Sequence, residues 1–513
     1  MLTKTYSAAV AGVDALPVEV EVNATGRGDE SNVSIVGLPD AAIKESRDRI
    51  RSALQSCGYG HPKGSTLVNL APADMRKEGS SFDLPIALSL IAANGLLPRE
   101  ELSQCLVVGE LALNGTVRPV KGCLPVALLA RKMGNRIRKL ILPMENAPEG
   151  AVAGDRIPVF AVSSLAEAVS AVRGESLPLS HDSLRVFSEP DWEGIPDFAD
   201  VKGQFMAKRA LEIAAAGGHN VLFIGPPGTG KSMLAKRLPG ILPPMTEEET
   251  LDTSRIYSVL GLLDSRHPLM RRRPFRSPHH TVSDAGLLGG GTNPQPGEIS
   301  LAHNGVLFLD ELPEFKRSVL ETLRQPIESG VVTVSRAAGS FEFPCEFILL
   351  AAMNPCPCGH YGDRLHTCRC GQKRIQDYRA KISGPLLDRI DLHVEVSSLT
   401  ERELLSAPDG ENSATIRERV IRAREIQNER FKQTPKVKCN ARMEPADINK
   451  YCKITMDAKV QLRHTILEFG LSARAYDRIL RVARTVADLD GAADISSEHI
   501  FEAINYRSLD RRL

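Results

Sequence analysis

The sequence predicts a multidomain protein with four parts. These are an α+β unit at 1–172, a linker at 173–199, an α/β phosphate-loop core at 200–398 with a parallel sheet, and an α-helical lid at 399–513. Three observations predict it. The 513 residues exceed the ~100–200 that one ordinary domain holds. A glycine-rich phosphate-binding motif at 225–232 sits between an apolar strand pattern and a helical one. Beyond residue 400 the periodicity is helical almost to the end.

In the first unit, Tyr6, Ala8 and Val10 alternate with polar neighbours, as do Val18, Val20 and Val22, which marks two strands. Helical stretches follow at 40–57 and 83–94, and 139–142 and 158–161 read as short buried strands. From 174 the periodicity fades into Pro, Ser and acidic residues around Trp192, which gives the linker. Apolar strands at 220–224, 305–309, 346–352 and 392–396 then alternate with helical patterns, the arrangement of a mostly parallel sheet flanked by helices. In the lid, 416–431 has charge-rich exposed faces.

Apolar residues at 42% and charged residues at 25% are ordinary globular usage, which excludes a disordered or collagen-like chain. The net charge is +1, so a basic binding surface would have to be local. The longest apolar run, 347–353, falls far short of the ~20 residues that cross a bilayer. No basic segment followed by an apolar run opens the chain, so a cytoplasmic protein without a membrane partner is expected. Ten cysteines make a poor disulfide scaffold at this length.

Gly225-Pro226-Pro227-Gly228-Thr229-Gly230-Lys231-Ser232 satisfies G-x-x-x-x-G-K-[ST] at every fixed position. Its glycines let successive N–H groups turn onto a polyphosphate, Lys231 supplies a point charge and Ser232 a hydroxyl for Mg²⁺. Asp310 and Glu311 follow the apolar strand at 305–309, where Asp310 is expected to orient the Mg²⁺ shell and Glu311 to polarise water. Asn354 ends the next strand and is expected to position water or the γ-phosphate of ATP.

The interval from Lys231 to Asp310 exceeds the ~30 residues of one crossover unit, and the Gly- and Pro-rich segment 271–297 reads as an insertion. A second insertion, 331–343, alternates around Arg336 as a hairpin does. Arg271, Arg272, Arg273, Arg276, His279, His280 and Arg336 concentrate basic groups there. Such side chains grip a phosphate backbone without reading sequence, although a solvated loop or a contact with acidic protein has the same composition. Cys356, Cys358, Cys368 and Cys370 form two C-x-C pairs. Four thiolates suit a structural Zn²⁺, against the alternatives of unligated thiols or redox chemistry.

Taken together these motifs resemble the AAA+ ATPases, in particular the magnesium-chelatase-like branch whose bacterial representatives form the ComM/YifB family. Further matching text is Phe275-Arg-Ser-Pro-His-His280, Gly297-Glu-Ile-Ser-Leu-Ala-His303, Leu309-Asp-Glu-Leu-Pro-Glu-Phe315, Leu386-Leu-Asp-Arg389-Ile-Asp391 and Ser472-Ala-Arg474. The resemblance implies that Asp310 and Glu311 are the Walker B pair, Asn354 is sensor 1, Arg389 is an arginine finger and Arg474 is the sensor 2 arginine. It further implies a homo-hexameric ring with both insertions facing the channel. The implied function is an ATP-driven DNA translocase or branch-migration helicase in recombination during natural transformation. A magnesium-chelatase-like motor that remodels a protein is the alternative. Residues 1–172 are similar to the proteolytic domain of Lon, with Ser81 at the nucleophile's position and Leu124 where the lysine base belongs. A serine without its base is a poor nucleophile, so no peptidase activity is expected. Lys121 lies three positions away.

Overall fold

The computed structural model describes residues 2–507 except 26–31, 75–76, 78, 155, 180–191, 264–266, 292–293, 337–338, 364–365, 400–409, 435 and 470–471. Much of the expected linker and the expected start of the lid lie outside the described residues.

Alternation builds the first sheet. Strands Leu2–Ala11 and Asp14–Ala24 pair antiparallel, and the second turns Val18, Val20 and Val22 completely inward. Asn32–Val36 and Ser65–Ala71 extend one side of this pair. Cys105–Val107, Lys139–Pro143 and Val159–Val162 extend the other as a parallel half, giving seven strands in all. Helix Ala41–Ser56 starts where the Asp40 carboxylate accepts from Ile43 N–H at 2.8 Å. In helix Asp83–Ala93 every residue is buried.

The second sheet is wholly parallel. Its strand order is Phe275–Arg276, Gly305–Leu309, Phe347–Met353, Val221–Ile224, Leu392–Glu395. The three inner strands are buried at every residue, because helices cover both faces of such a sheet. The edge strand Phe275–Arg276 corrects the sequence reading, which gave 271–297 entirely to an insertion. Two residues are too few for a periodic signal, yet Phe275 pairs with Val306 and stacks on Phe308 with ring centroids 6.0 Å apart. The other insertion is a hairpin of Val331–Arg336 and Gly339–Pro344.

The two sheets meet through helices Cys123–Lys132 and Glu247–Leu260. Gly122 N–H donates to the Ser258 carbonyl at 2.9 Å, and Leu124 N–H to Ser258 Oγ at 3.2 Å. C-terminal helices, chiefly Ser413–Phe431, Ala473–Leu489 and Ser497–Asn505, close over the parallel sheet and share its largest apolar cluster. Among the described residues no helix is long and apolar enough to cross a membrane.

His303, just before the strand Gly305–Leu309, is buried and accepts from Glu346 N–H at 3.0 Å. Burial holds its imidazole down at about 4, so the folded protein carries it neutral where the unfolded chain would protonate it. Stability from this group is therefore lost as pH falls from ~6.5 toward ~4, by up to ~3 kcal/mol. Urea midpoints across that range should decline, and His303→Gln should flatten the decline.

Candidate functional site

The apolar strand Val221–Ile224 drives straight into the phosphate loop, and helix Lys231–Ala235 leaves it. Two glycines show why the loop needs them. Gly230 adopts φ 88°, and a Cβ on Gly225 would lie 2.1 Å from the Val396 carbonyl oxygen. Lys231 Nζ turns back into the loop, donating to the Gly225 carbonyl at 2.7 Å, the Pro226 carbonyl at 2.8 Å and Asn354 Oδ1 at 3.3 Å. Burial lowers its pKa, and the nearby Asp310 opposes that shift. An arriving phosphate exchanges neutral carbonyls for an anion around this ammonium, which strengthens each bond it makes.

Asp310 and Glu311 emerge at the C-terminal end of the strand Gly305–Leu309. Ser232 Oγ donates to Asp310 Oδ2 at 2.6 Å, and Glu311 N–H donates to Asp310 Oδ1 at 2.9 Å. A hydroxyl and a carboxylate in contact are hard oxygen donors of the type Mg²⁺ takes beside a phosphate. Glu311 itself holds φ 52°, ψ 46°, left-handed backbone that a non-glycine residue adopts only under local constraint. Asn354 follows the strand Phe347–Met353, which pairs with the phosphate-loop strand residue for residue, Ile224 against Met353. Lys231, Ser232, Asp310 and Asn354 are thus drawn into one site, with Lys231 bonded to Asn354 and Ser232 to Asp310.

Arg389 is elsewhere. It precedes Leu392, and Leu392 pairs with Val221, the first residue of the strand whose far end carries the loop. Its side chain is only 10% exposed, paired with Glu328 Oε1 at 2.5 Å and donating to the Pro385 carbonyl at 2.5 Å. It borders a cavity of about 310 Å³ shared with Arg442, Arg478 and Arg481. Arg474 lies exposed in the first turn of Ala473–Leu489, which Ser472 caps by accepting from Ala475 N–H.

The expected basic surface is largely spoken for. Arg273 pairs with Glu249 at 2.9 Å and donates to the Pro243 and Asn304 carbonyls. Arg276 is held bidentate by Glu298 at 2.7 and 2.8 Å. His279 is exposed, whereas His280 faces Glu311. Arg336 ends the first hairpin strand opposite Gly339, and its side chain lies outside the described residues. Sequence reasoning missed the Glu328, Glu298 and His280 contacts, since each joins residues that no periodicity relates.

The four cysteines converge. Cys356, Cys358 and Cys368 have Sγ atoms 3.4, 3.7 and 3.7 Å apart, and all four Sγ lie within 4.8 Å of one another. Tetrahedral Zn²⁺ with bonds of ~2.3 Å needs sulfurs ~3.8 Å apart, so the donor set fits. Backbone N–H groups of His360 and Arg369 pull the Cys358 thiol down to about 6, favouring the thiolate a metal requires. The loop abuts the nucleotide site, since a Cβ on Gly359 would meet Pro227 at 2.7 Å.

Ser81 and Lys121 line one cavity of about 1310 Å³ between the first sheet and the parallel-sheet unit. Leu124 is fully buried, with its N–H tied to Glu149 at 3.1 Å and to Ser258. The Lys121 stem runs over Gly261 of the neighbouring unit.

Comparison with known proteins agrees with this architecture. Residues 197–404 match the family described as magnesium chelatase, subunit ChlI. Residues 18–146 match the subunit ChlI of Mg-chelatase and 410–507 the ChlI C-terminal family. Competence protein ComM of Haemophilus influenzae is 45% identical over 512 residues, covering 99% of this chain and 98% of the relative. The uncharacterized protein YifB of Escherichia coli is 43% identical over 519 residues, covering 100% and 98%. Magnesium-chelatase subunit ChlI of Chlorella vulgaris is 22% identical over 306 residues, covering 55% and 79%. Membership implies ATPase activity with ATP and Mg²⁺. The chain belongs to the ComM/YifB family of magnesium-chelatase-like AAA+ ATPases.

Proposed function

We propose that this protein is an ATP-driven motor that works as a homo-hexameric ring and moves branched or single-stranded DNA during recombination in natural transformation. The observation that carries the ring is the position of Arg389. A strand of four residues, roughly 13 Å at ~3.3 Å each, separates its end of the sheet from the phosphate loop. The guanidinium therefore cannot serve its own nucleotide. Brought against a neighbour's γ-phosphate it supplies the positive charge that phosphoryl transfer requires, once the Glu328 contact is exchanged. Arg474, exposed on the lid, is assigned the sensor 2 role.

Residues 225–232 and Asp310 bind nucleotide and cation in this scheme. Bound Mg²⁺ neutralises charge on the phosphates. Glu311 takes the attacking water's proton and Asn354 orients that water. The first 172 residues act as a Lon-like, non-proteolytic domain, which the burial of Leu124 supports. The DNA step draws on the competence name of the Haemophilus relative, and His279 and Arg336 are its candidate contacts. A second reading, remodelling of a protein as by a chelatase motor, is favoured by Arg273 and Arg276 being tied to Glu249 and Glu298.

Lys231→Ala should abolish nucleotide binding, and Glu311→Gln should bind ATP but hydrolyse it at least ~100-fold more slowly. Equilibrium binding and steady-state turnover check both. Turnover by the wild type should rise with single-stranded or branched DNA, and the rise should fade steeply between ~50 and ~200 mM salt. Turnover indifferent to DNA would favour protein remodelling. Metal analysis of purified protein should find one zinc per chain, lowered by Cys358→Ser. A content near zero, where control proteins keep their zinc, would refute the metal site.

A further inference from the structure

The loop that brings the four cysteines together carries a second group of metal donors. His360, Asp363 and His366 each offer one ligand atom, and these three atoms lie within 4.8 Å of one another. His360 Nδ1 is 3.3 Å and His366 Nδ1 3.1 Å from the same oxygen, Asp363 Oδ2. The two imidazole rings have centroids 4.8 Å apart and planes inclined by 38°.

The carboxylate is the fixed member of the group. Its side chain is only 2% exposed, against 31% for His360 and 64% for His366. Its other oxygen, Oδ1, accepts from Ser398 Oγ at 3.1 Å, and Asp363 N–H donates to the His360 carbonyl at 3.2 Å. Ser398 lies just beyond the strand Leu392–Glu395, next to Ser397, whose carbonyl accepts from Gln204 Nε2 at 2.9 Å. The same amide reaches the Thr229 carbonyl of the phosphate loop at 3.3 Å. The group therefore ties the cysteine loop to backbone that borders the nucleotide site. His360 stands between the two donor sets, with its backbone N–H on the Cys358 thiol and its ring turned to Asp363.

A tetrahedral ion with bonds of ~2.0–2.1 Å to nitrogen and oxygen holds its ligands ~3.3–3.4 Å apart, so the spacing from both imidazoles to the carboxylate suits one. Two imidazoles and a carboxylate are the donors that zinc and its first-row neighbours take, whereas Mg²⁺ prefers oxygen throughout. With His366 at the surface, three protein ligands leave a fourth position for water. An exposed imidazole gains little from pairing with a carboxylate in water, but a shared cation draws all three donors to one point.

We propose that His360, Asp363 and His366 form a second site for a borderline divalent cation, zinc or a first-row neighbour, separate from the four thiolates. Ser398 orients its carboxylate. An occupied site clips the cysteine loop to the end of the strand Leu392–Glu395.

The test titrates the metal-free, reduced, full-length chain with Co²⁺ alone and follows its absorption. Two ions per chain should bind. One should show thiolate-to-cobalt charge transfer in the near ultraviolet, and the other only visible ligand-field bands, because it has no sulfur ligand. His366→Ala, at an exposed position, should weaken the sulfur-free site at least about tenfold while leaving the charge-transfer band and the thermal midpoint of the metal-free chain as in wild type. Ser398→Ala should weaken the same site about tenfold through the carboxylate it orients. Visible bands without charge transfer would refute the four-thiolate site and leave this one standing. Charge transfer with no sulfur-free ion, or a sulfur-free ion bound as tightly by His366→Ala as by wild type, overturns the proposal.

Discussion

The parallel pairing of Val221–Ile224 with Leu392–Glu395 is the constraint on which the rest depends. Because the strands run in one direction, the segment leaving the first and the segment entering the second lie at opposite ends of the sheet. The phosphate loop leaves Ile224 and Arg389 precedes Leu392, so each chain presents a nucleotide pocket at one end and a guanidinium at the other. Antiparallel pairing would have put both at the same end of the sheet. Parallel pairing is also what makes the strands apolar throughout, since both faces must be covered.

Around Arg389 the structure couples the sheet to the lid. Asp391, two residues on, accepts from Asn220 N–H at 3.1 Å and faces the fully buried His219 at 3.4 Å. His219 Nε2 in turn lies 2.8 Å from Thr485 Oγ1 on the helix Ala473–Leu489. Roughly three helix turns of that lid element thus separate Arg474 at one end from a contact to the Arg389 strand near the other. Further along, the fully buried Asp488 carboxylate receives Arg430 at 2.8 Å and Arg484 at 3.1 Å. A buried carboxylate holding two guanidiniums fixes orientation even where its net stabilisation is small, because removing one partner strands the others without water. The lid is therefore oriented by polar contacts and not by apolar packing alone.

Much of this was legible in the sequence, for reasons that differ by element. The parallel-sheet strands stood out because burial on both faces leaves continuous apolar runs such as 347–353. The phosphate loop stood out because its glycines and lysine are dictated by one chemistry. Phe275–Arg276 was hidden, since a two-residue edge strand has no period. The site was legible as separate motifs and not as an arrangement. Arg276, Arg273 and His280 looked like a basic surface in one dimension, whereas Glu298, Glu249 and Glu311 reach them only through the fold. The cysteines were visible as a cluster, and the spacing that suits a metal became visible only with their sulfurs in place.

The proposed completion of each pocket by the chain next door is tested most directly by subunit mixing. Lys231→Ala chains lack a working loop but keep Arg389, and Arg389→Ala chains have the reverse defect. Each variant alone should be inactive. Mixed in equal amounts and allowed to exchange, they should recover about a quarter of the wild-type ATP turnover, the chance frequency of a sound loop meeting a sound arginine at a head-to-tail contact. Mixtures that stay inactive while forming rings would contradict the shared pocket, as would Arg389→Ala chains that hydrolyse ATP normally on their own.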